Sequence, residues 1–452
     1  MNLPKHSTGV LVTTVLASSL AFIDSSVVNV GLRAIGDSLH SDASGLDWTI
    51  NAYLLPLSAL LLTGGALGDQ LGRRFMLVAG TSIFAVASLI CALAPNLAWL
   101  LAGRAGQGLG AAILMPNSLA VLSDTFQGEA RGRAVGFWAA AGAGASAIGP
   151  LLGGFLIDHF GWRSIFIINL PLAAAAIIGA LIFVPASRHK GAVTLDAGGA
   201  LIITLSLFCL TWGIILASVP GTRGLTSTIA IGTGLAAMAG FLLLERRLGS
   251  RAMMPLALFS SYEFAGLNAL TFLLYAAMGG LFMIIPFILI GLGGYDATSA
   301  GAALLPLPVI LGIASPTFGR LAGRIDARPL LIAGPLVAAA GTLLLLRIGP
   351  QPDYLTTVAP GLIVIAIGMS CAVAPLTTAV LSSVDQAHTG VASGLNSAVA
   401  RTGSLLAIAM LSGVLAAQGA ELLSAFHAAL ICIATACALS GCCALILRKD
   451  RR

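Results

Sequence analysis

Fourteen apolar stretches, each long enough to cross a bilayer as a helix, follow one another along this chain. They lie at 9–31, 48–67, 75–94, 97–122, 134–157, 164–184, 197–217, 227–244, 262–290, 298–318, 329–346, 355–381, 389–417 and 423–447. A spanning helix needs about 20 mostly apolar residues, because no water is at hand to satisfy its backbone. Hydrophobic residues make up 58% of the 452 and charged residues 9%, against about 25% charged in soluble domains. No soluble fold of this length hides so much apolar surface. The pattern predicts an all-α polytopic membrane protein with 14 transmembrane helices in a lipid bilayer. The first stretch is too long for a cleaved signal peptide, contains Asp24 and is followed by many more spans, so it reads as a retained helix.

An even number of spans puts both termini on one side. The loops on that side hold Lys5, Arg73, Arg74, Arg131, Arg133, Arg188, Lys190, Arg246, Arg247, Arg251, Arg320, Arg324, Arg328, Arg448, Lys449, Arg451 and Arg452. The opposite loops hold Arg33, Arg163, Arg223 and Arg347. Arg104 and Arg401 fall inside spans and complete the 23 basic residues. Cytoplasmic loops carry the excess of Lys and Arg, so the termini are expected in the cytoplasm. The net charge of +6 then reflects topology, and no nucleic-acid partner is implied. No lysine follows a glycine, so there is no phosphate loop of the Gly-Lys-Ser/Thr kind, and ATP hydrolysis is not expected. The seven cysteines fall in apolar runs without zinc-ligand spacing; no metal and no cofactor are assigned.

The loop "GALGDQLGRR", Gly65 to Arg74, is echoed by "GRLAGRIDAR", Gly319 to Arg328, with Gly65/Gly319, Leu67/Leu321, Leu71/Ile325 and Arg74/Arg328 in register. The two loops are eight spans apart. Two six-helix repeats with two helices inserted between them give that offset, and paired repeats are a known transporter plan. The expected division is an N-terminal six-helix bundle at 1–184, two inserted helices with linkers at 185–255, and a C-terminal six-helix bundle at 256–452.

Four motifs in the N-terminal part carry a resemblance. The first is Gly65-x-Leu67-x-Asp69-x-x-Gly72-Arg73-Arg74-x-x-Leu77. The second is Arg104-x-x-Gln107-Gly108-x-Gly110. The third is Gly136 followed by Gly149-Pro150-x-x-Gly153-Gly154, with Ala145 where a glycine is usual. The fourth is "IDSSVVNVGL" around Asp24, and "WRSIFIINLP", Trp162 to Pro171, adds to them. As a set they resemble the major facilitator superfamily, specifically its fourteen-spanner drug:proton antiporters. The resemblance implies Asp24 as proton-coupling acid with Arg104 as its modulator, a gating loop at Gly65–Arg74, and an antiporter helix whose glycines seal one gate.

The residues themselves support a role for Asp24. A carboxylate at a helix centre in lipid costs about 2.5–3.5 kcal/mol, so it should face a cavity or a partner. Asp24 is about 13 Å and Arg104 about 10 Å from the same membrane face at 1.5 Å per residue. They can therefore interact directly, through Gln107 or through water. Burial favours a neutral carboxylate and a nearby guanidinium a charged one, so moving either group could switch protonation. A static ion pair that locks the bundle is the alternative. Gly149 and Pro150 allow helix bending, and Gly136, Gly142, Gly144, Gly149, Gly153 and Gly154 allow close packing. Asp69 and Arg73 sit at a junction of helix ends, where the arginine can pair across the repeats. The positive-inside anchor with a turn at Gly72 accounts for the same residues.

Asn268, Tyr275 and Arg401 are candidates to line a substrate path. Arg401 could meet an anionic substrate group or a carboxylate, or line water. His427 is more simply a packed histidine. The expected function is proton-coupled export of small hydrophobic compounds by alternating access, in a bacterial inner membrane. With one well-centred acid, the substrates are expected to be neutral, monocationic or zwitterionic rather than dicationic. An endogenous metabolite is the alternative cargo on the same fold. A membrane-embedded enzyme lacks support, since there is no His-Glu-x-x-His and no Gly-x-Ser-x-Gly. A non-transporting sensor is the remaining alternative.

Overall fold

Small polar caps set where many of the helices start. Asp42, Asn96, Asp196, Ser261, Asp296 and Asp353 each accept a backbone N–H from three residues ahead, which satisfies one of the orphan donors of a helix N-terminus. At Asp296, outside the spans, the Ser299 hydroxyl and amide hold the carboxyl below its usual range.

The computed structural model describes residues 7–186, 196–219, 221, 224–249, 252–385 and 389–447. Of the basic residues used for orientation, Lys5, Arg188, Lys190, Arg223, Arg251, Arg448, Lys449, Arg451 and Arg452 lie outside them, as does most of the linker after residue 184. Fourteen helices match the fourteen stretches. They are α1 Ser7–Leu39, α2 Ala43–Leu71, α3 Arg73–Ala92, α4 Leu97–Thr125, α5 Arg133–Phe160, α6 Ser164–Phe183 and α7 Ala197–Ser218. The series continues with α8 Leu225–Leu248, α9 Tyr262–Gly291, α10 Ala297–Ala322, α11 Arg328–Arg347, α12 Tyr354–Ser382, α13 Val391–Ala416 and α14 Glu421–Ile446. Large apolar side chains such as Ile182, Leu201, Leu235 and Ile313 are exposed, as a lipid-facing surface requires.

The packing recurs with an offset of eight helices. In the first six, α3 packs on α4, α2 on α4, α1 on α5, and α6 on α1 and α3. In the last six, α11 packs on α12, α10 on α12, α9 on α13, and α14 on α9 and α11. The aligned arginines repeat as well. Arg74 donates to the Leu181 carbonyl at 2.7 Å and Arg328 to the Leu445 carbonyl at 3.0 Å. Each of these carbonyls lies near the end of the sixth helix in its own group. The helices α7 and α8 pack on each other, and α7 also lies against α2 and α13.

The six-helix groups meet mainly where α2 packs on α13 and α5 on α10, with a narrower contact of α1 on α9. Between the groups a cavity of about 1940 Å³ opens at the end where α1 begins and α14 ends. Its mouth is lined by Asp69, Arg73, Asp124, Arg131, Asp196 and Asp385, and its deep wall includes Leu61, Met115 and Arg401. The other end is closed. There a Cβ at Gly154 would lie 2.2 Å from the Ala297 oxygen, and one at Gly301 2.1 Å from the Pro150 oxygen. Arg33 adds a bond of 3.2 Å from its Nε to the Phe287 carbonyl, with its guanidinium over the Phe287 ring.

Candidate functional site

Asp24 sits near the middle of α1, wholly enclosed at 0% exposure, with Arg104 at 1% and Gln107 at 0%. Arg104 and Gln107 are three residues apart on α4, so they share one face of that helix. Close approach brings that face against its neighbours: a Cβ at Gly108 would lie 2.2 Å from the Tyr53 oxygen on α2. Arg104 Nη1 donates to Asp24 Oδ2. It also donates to Gln107 Oε1 at 2.7 Å, while Arg104 Nε donates to the Thr49 carbonyl at 3.0 Å. Gln107 Nε2 donates to Asp24 Oδ1 at 2.8 Å and to Ser88 Oγ at 2.8 Å. The guanidinium also lies 4.5 Å from the centre of the Tyr53 ring, a cation–π contact. The pair expected from helix depth is thus direct, and Gln107 bridges it as well.

A third donor reaches the carboxylate. Asn169 of α6 gives Nδ2–H to Asp24 Oδ1 at 3.1 Å and to Ser88 Oγ at 3.3 Å. Neither Asn169 nor Ser88 is among the residues expected from the sequence to serve Asp24. Asn169 was visible as the lone amide in the quoted "WRSIFIINLP" segment, whereas nothing marks Ser88 before α3 is seen against α4. Replacing Asn169 with Ala removes one of three donors to a buried carboxylate. The expected cost is about 1–3 kcal/mol, measurable as a lowered thermal unfolding midpoint of the detergent-solubilised protein.

The loop motif lies at the cavity mouth. Gly72 turns the chain between α2 and α3 at φ 101°, a conformation that suits glycine. Arg73 pairs with Asp69 at 3.0 Å and with Asp124 of α4 at 2.5 Å, and donates to the Ala120 carbonyl at 3.0 Å. Among the described residues, the pairing across the repeats expected for Arg73 is therefore not made. The cavity parts the two groups at this end, so the arginine takes its partners from its own group. Gly65 faces Pro116, which a Cβ would meet at an ordinary 3.5 Å.

In the antiporter helix, Gly149 and Gly153 lie against Ser26 and Val27 of α1, and Gly142 against Phe22. Gly154 and Pro150 meet α10 of the other group. Gly136 and Gly144 have nothing within 4 Å of an added Cβ, so the close packing expected there is absent. Gly136 is exposed beside Val135 and Trp138 of the cavity wall, where α5 stands away from its neighbours.

Asp158, one turn beyond Gly154, was not singled out. Its carboxylate accepts from Ala297 N at 3.3 Å, Thr298 N at 2.8 Å and Thr298 Oγ1 at 2.5 Å, capping α10 across the seam. The group is exposed, so Asp158→Ala is expected to loosen the seam by only about 1 kcal/mol. A modest rise in hydrogen exchange at the start of α10 is the readout.

Of the three candidate lining residues, Arg401 is on the cavity wall. Asn268 is buried in the α9–α13 seam, where its Oδ1 accepts from Asn396 at 3.3 Å. Tyr275 is half-buried on the same helix; its backbone carbonyl accepts from Ser404 at 2.9 Å, while its phenol lies near enough to Arg401 to interact with it. Polar side chains in the seam hold helices together, which corrects the expectation that Asn268 lines the path. His427 is packed, with Nε2 2.9 Å from the Ile348 carbonyl.

Comparison with known proteins agrees with this architecture. A family model described as Major Facilitator Superfamily matches residues 14–408. Multidrug resistance protein Stp of Mycobacterium tuberculosis (strain CDC 1551 / Oshkosh) is 33% identical over 408 residues, covering 90% of this chain and 75% of that protein. The methylenomycin A resistance protein of Bacillus subtilis (strain 168) is 34% identical over 413 residues, covering 89% of this chain and 87% of that protein. A crystallised POT family transporter, 12% identical, superposes with a TM-score of 0.73 over 96% of this chain and 95% of its own, and so shares the fold. Proteins of this superfamily are membrane transporters that bind small-molecule substrates. A helical bundle repeated at an offset of eight, a charge pair buried in its first repeat and a match along most of the sequence converge: this chain belongs to the major facilitator superfamily.

Proposed function

We propose that this chain exports small hydrophobic compounds in exchange for protons, by alternating access. The observation that carries the reading is Asp24, a fully enclosed carboxylate in a membrane bundle, held by Arg104, Gln107 and Asn169. A carboxylate so placed can take or release a proton when its guanidinium partner moves. The resistance proteins among its relatives support export as the direction. The basic loops support a cytoplasmic location for both termini, and hence for the open end of the cavity. In this scheme Asp24 is the coupling acid, with Arg104 and Gln107 setting its charge state. Gly65, Asp69, Gly72, Arg73 and Arg74 hold the inner gate. Gly136, Gly149, Pro150, Gly153 and Gly154 belong to the helix that seals the outer one.

Residues 1–184 and 256–452 then act as the two rocking bodies, with 185–255 as the insert. A proton gradient drives the cycle, without ATP and without nucleic acid.

Everted membrane vesicles test this. After a pH gradient is imposed, adding a transported hydrophobic compound is expected to dissipate it, and an uncoupler to stop accumulation of that compound. Accumulation that persists with the gradient collapsed would falsify the exchange.

A further inference from the structure

Arg401 stands apart from the charge cluster of α1 and α4. Its helical stretch begins at Thr389, which places Arg401 about 18 Å in from the cavity mouth at 1.5 Å per residue. It faces the cavity. Among the described residues, the ion pairs join Asp69 and Asp124 to Arg73, and Asp24 to Arg104. None of them reaches Arg401. Its Nη2 instead lies 3.1 Å from the Met115 sulfur on α4, a weak acceptor. Among the described residues, the titratable groups near enough to interact with it are the phenols Tyr53 and Tyr275, which are neutral at physiological pH. The carboxylates of the cavity wall, Asp69, Asp124, Asp196 and Asp385, all belong to its mouth. Deeper in, Leu61, Leu62 and Met115 share the wall with Arg401.

Among the described residues, the deep end of the cavity therefore carries one positive charge and no compensating anion. A guanidinium inside a membrane bundle without an acidic partner is costly to hold, and its planar fork suits a carboxylate. We infer that Arg401 recognises the exported compound and that this compound is a hydrophobic acid. Its carboxylate, or an equally delocalised oxyanion, pairs with the guanidinium while its apolar body rests on Leu61, Leu62 and Met115. The inference rests on the export reading and names its substrate class. It departs from the expectation of neutral, monocationic or zwitterionic cargo, of which only the zwitterion carries a group for Arg401. Asp24 is occupied inside the first bundle and is not on the cavity wall, so an anionic cargo meets no carboxylate at the deep end. An inward proton and an outward monoanion also move charge in the same sense, so an inside-negative potential drives such an exchange.

The test uses the full-length purified protein and three fluorescent probes of similar size: 1-pyrenebutyrate, its primary amide and the matching trimethylammonium cation. Binding is followed by fluorescence anisotropy. The acid is expected to bind about ten-fold or more tightly than the amide or the cation, the size of a charge-assisted hydrogen bond. Arg401→Gln is expected to bring the acid-to-amide affinity ratio to about one, and Arg401→Lys to keep part of the preference. The ratio does not depend on how much of a variant is folded. An amide or cation that binds as tightly as the acid overturns the inference, and so does an acid preference that survives Arg401→Gln. If the amide is pumped in vesicles without any preference for the acid, the substrate class alone fails. If no probe binds or moves, the export reading fails with it.

Discussion

Asparagine at position 24 is expected to reduce gradient-driven export to background. Asp24 is the enclosed carboxylate of the coupling cluster, and an amide cannot exchange a proton in its place. The same substitution leaves Arg104 buried without its counter-charge, at a cost of about 3–5 kcal/mol. Loss of transport by Asp24→Asn alone therefore does not separate coupling from a structural ion pair. The double replacement Asp24→Asn with Arg104→Gln does. Neutralising both partners of a buried pair is often neutral or stabilising, so the thermal unfolding midpoint should recover most of its fall. Transport should not recover. A double variant that is stable and still accumulates substrate against a gradient would show Asp24 and Arg104 to be a lock rather than a coupling pair.

Leucine at Gly154 is expected to hold the closed end of the cavity apart. A Cβ at this position would stand 2.2 Å from the Ala297 oxygen, and that atom belongs to the backbone of α10 in the other six-helix group. A flexible side chain could give way; a helix backbone moves only with its bundle. Overpacking costs about 1–3 kcal/mol, which shifts the ratio of closed to open states by about 5- to 150-fold. Spin labels at Phe160 and Tyr295, measured by pulsed EPR, should show a longer distance distribution, and transport should stop. Gly301→Leu, aimed at the Pro150 oxygen from the opposite side, should act alike. Gly108→Leu serves as the contrast. Its clash is with the Tyr53 oxygen of α2, inside one bundle, so it should lower stability without lengthening that distance. An unchanged distance in Gly154→Leu would remove α5 and α10 from the gate.

The candidate site was partly legible because helix depth is arithmetic. Asp24 and Arg104 lie in helices of opposite direction at similar distance from one face, so their meeting followed from rise per residue. Gln107 followed from Arg104 by spacing on one helix face. Asn169, Ser88 and Thr49 did not follow, because depth says nothing of rotation about the helix axis. Which helix flanks which, and which face it turns inward, is set by packing between residues far apart in sequence. The same limit explains Asn268. Its place along α9 follows from the sequence, but whether it met the cavity or α13 depended on the helix's rotation. Arg73 shows a further limit, since its partner depends on which end of the cavity is open.

The number of helices and the recurrence of the Arg74 and Arg328 loops were decided by the sequence alone. Each of these is local: twenty apolar residues must satisfy their own backbone in lipid, whatever surrounds them. The seam that closes one end, the three donors on Asp24 and the unaccompanied charge of Arg401 were decided only by tertiary structure. In a bundle whose helices are apolar on every side, the lipid gives no cue to orientation. Close contacts between small residues and hydrogen bonds across helices supply it instead, and these exist only once the helices are assembled.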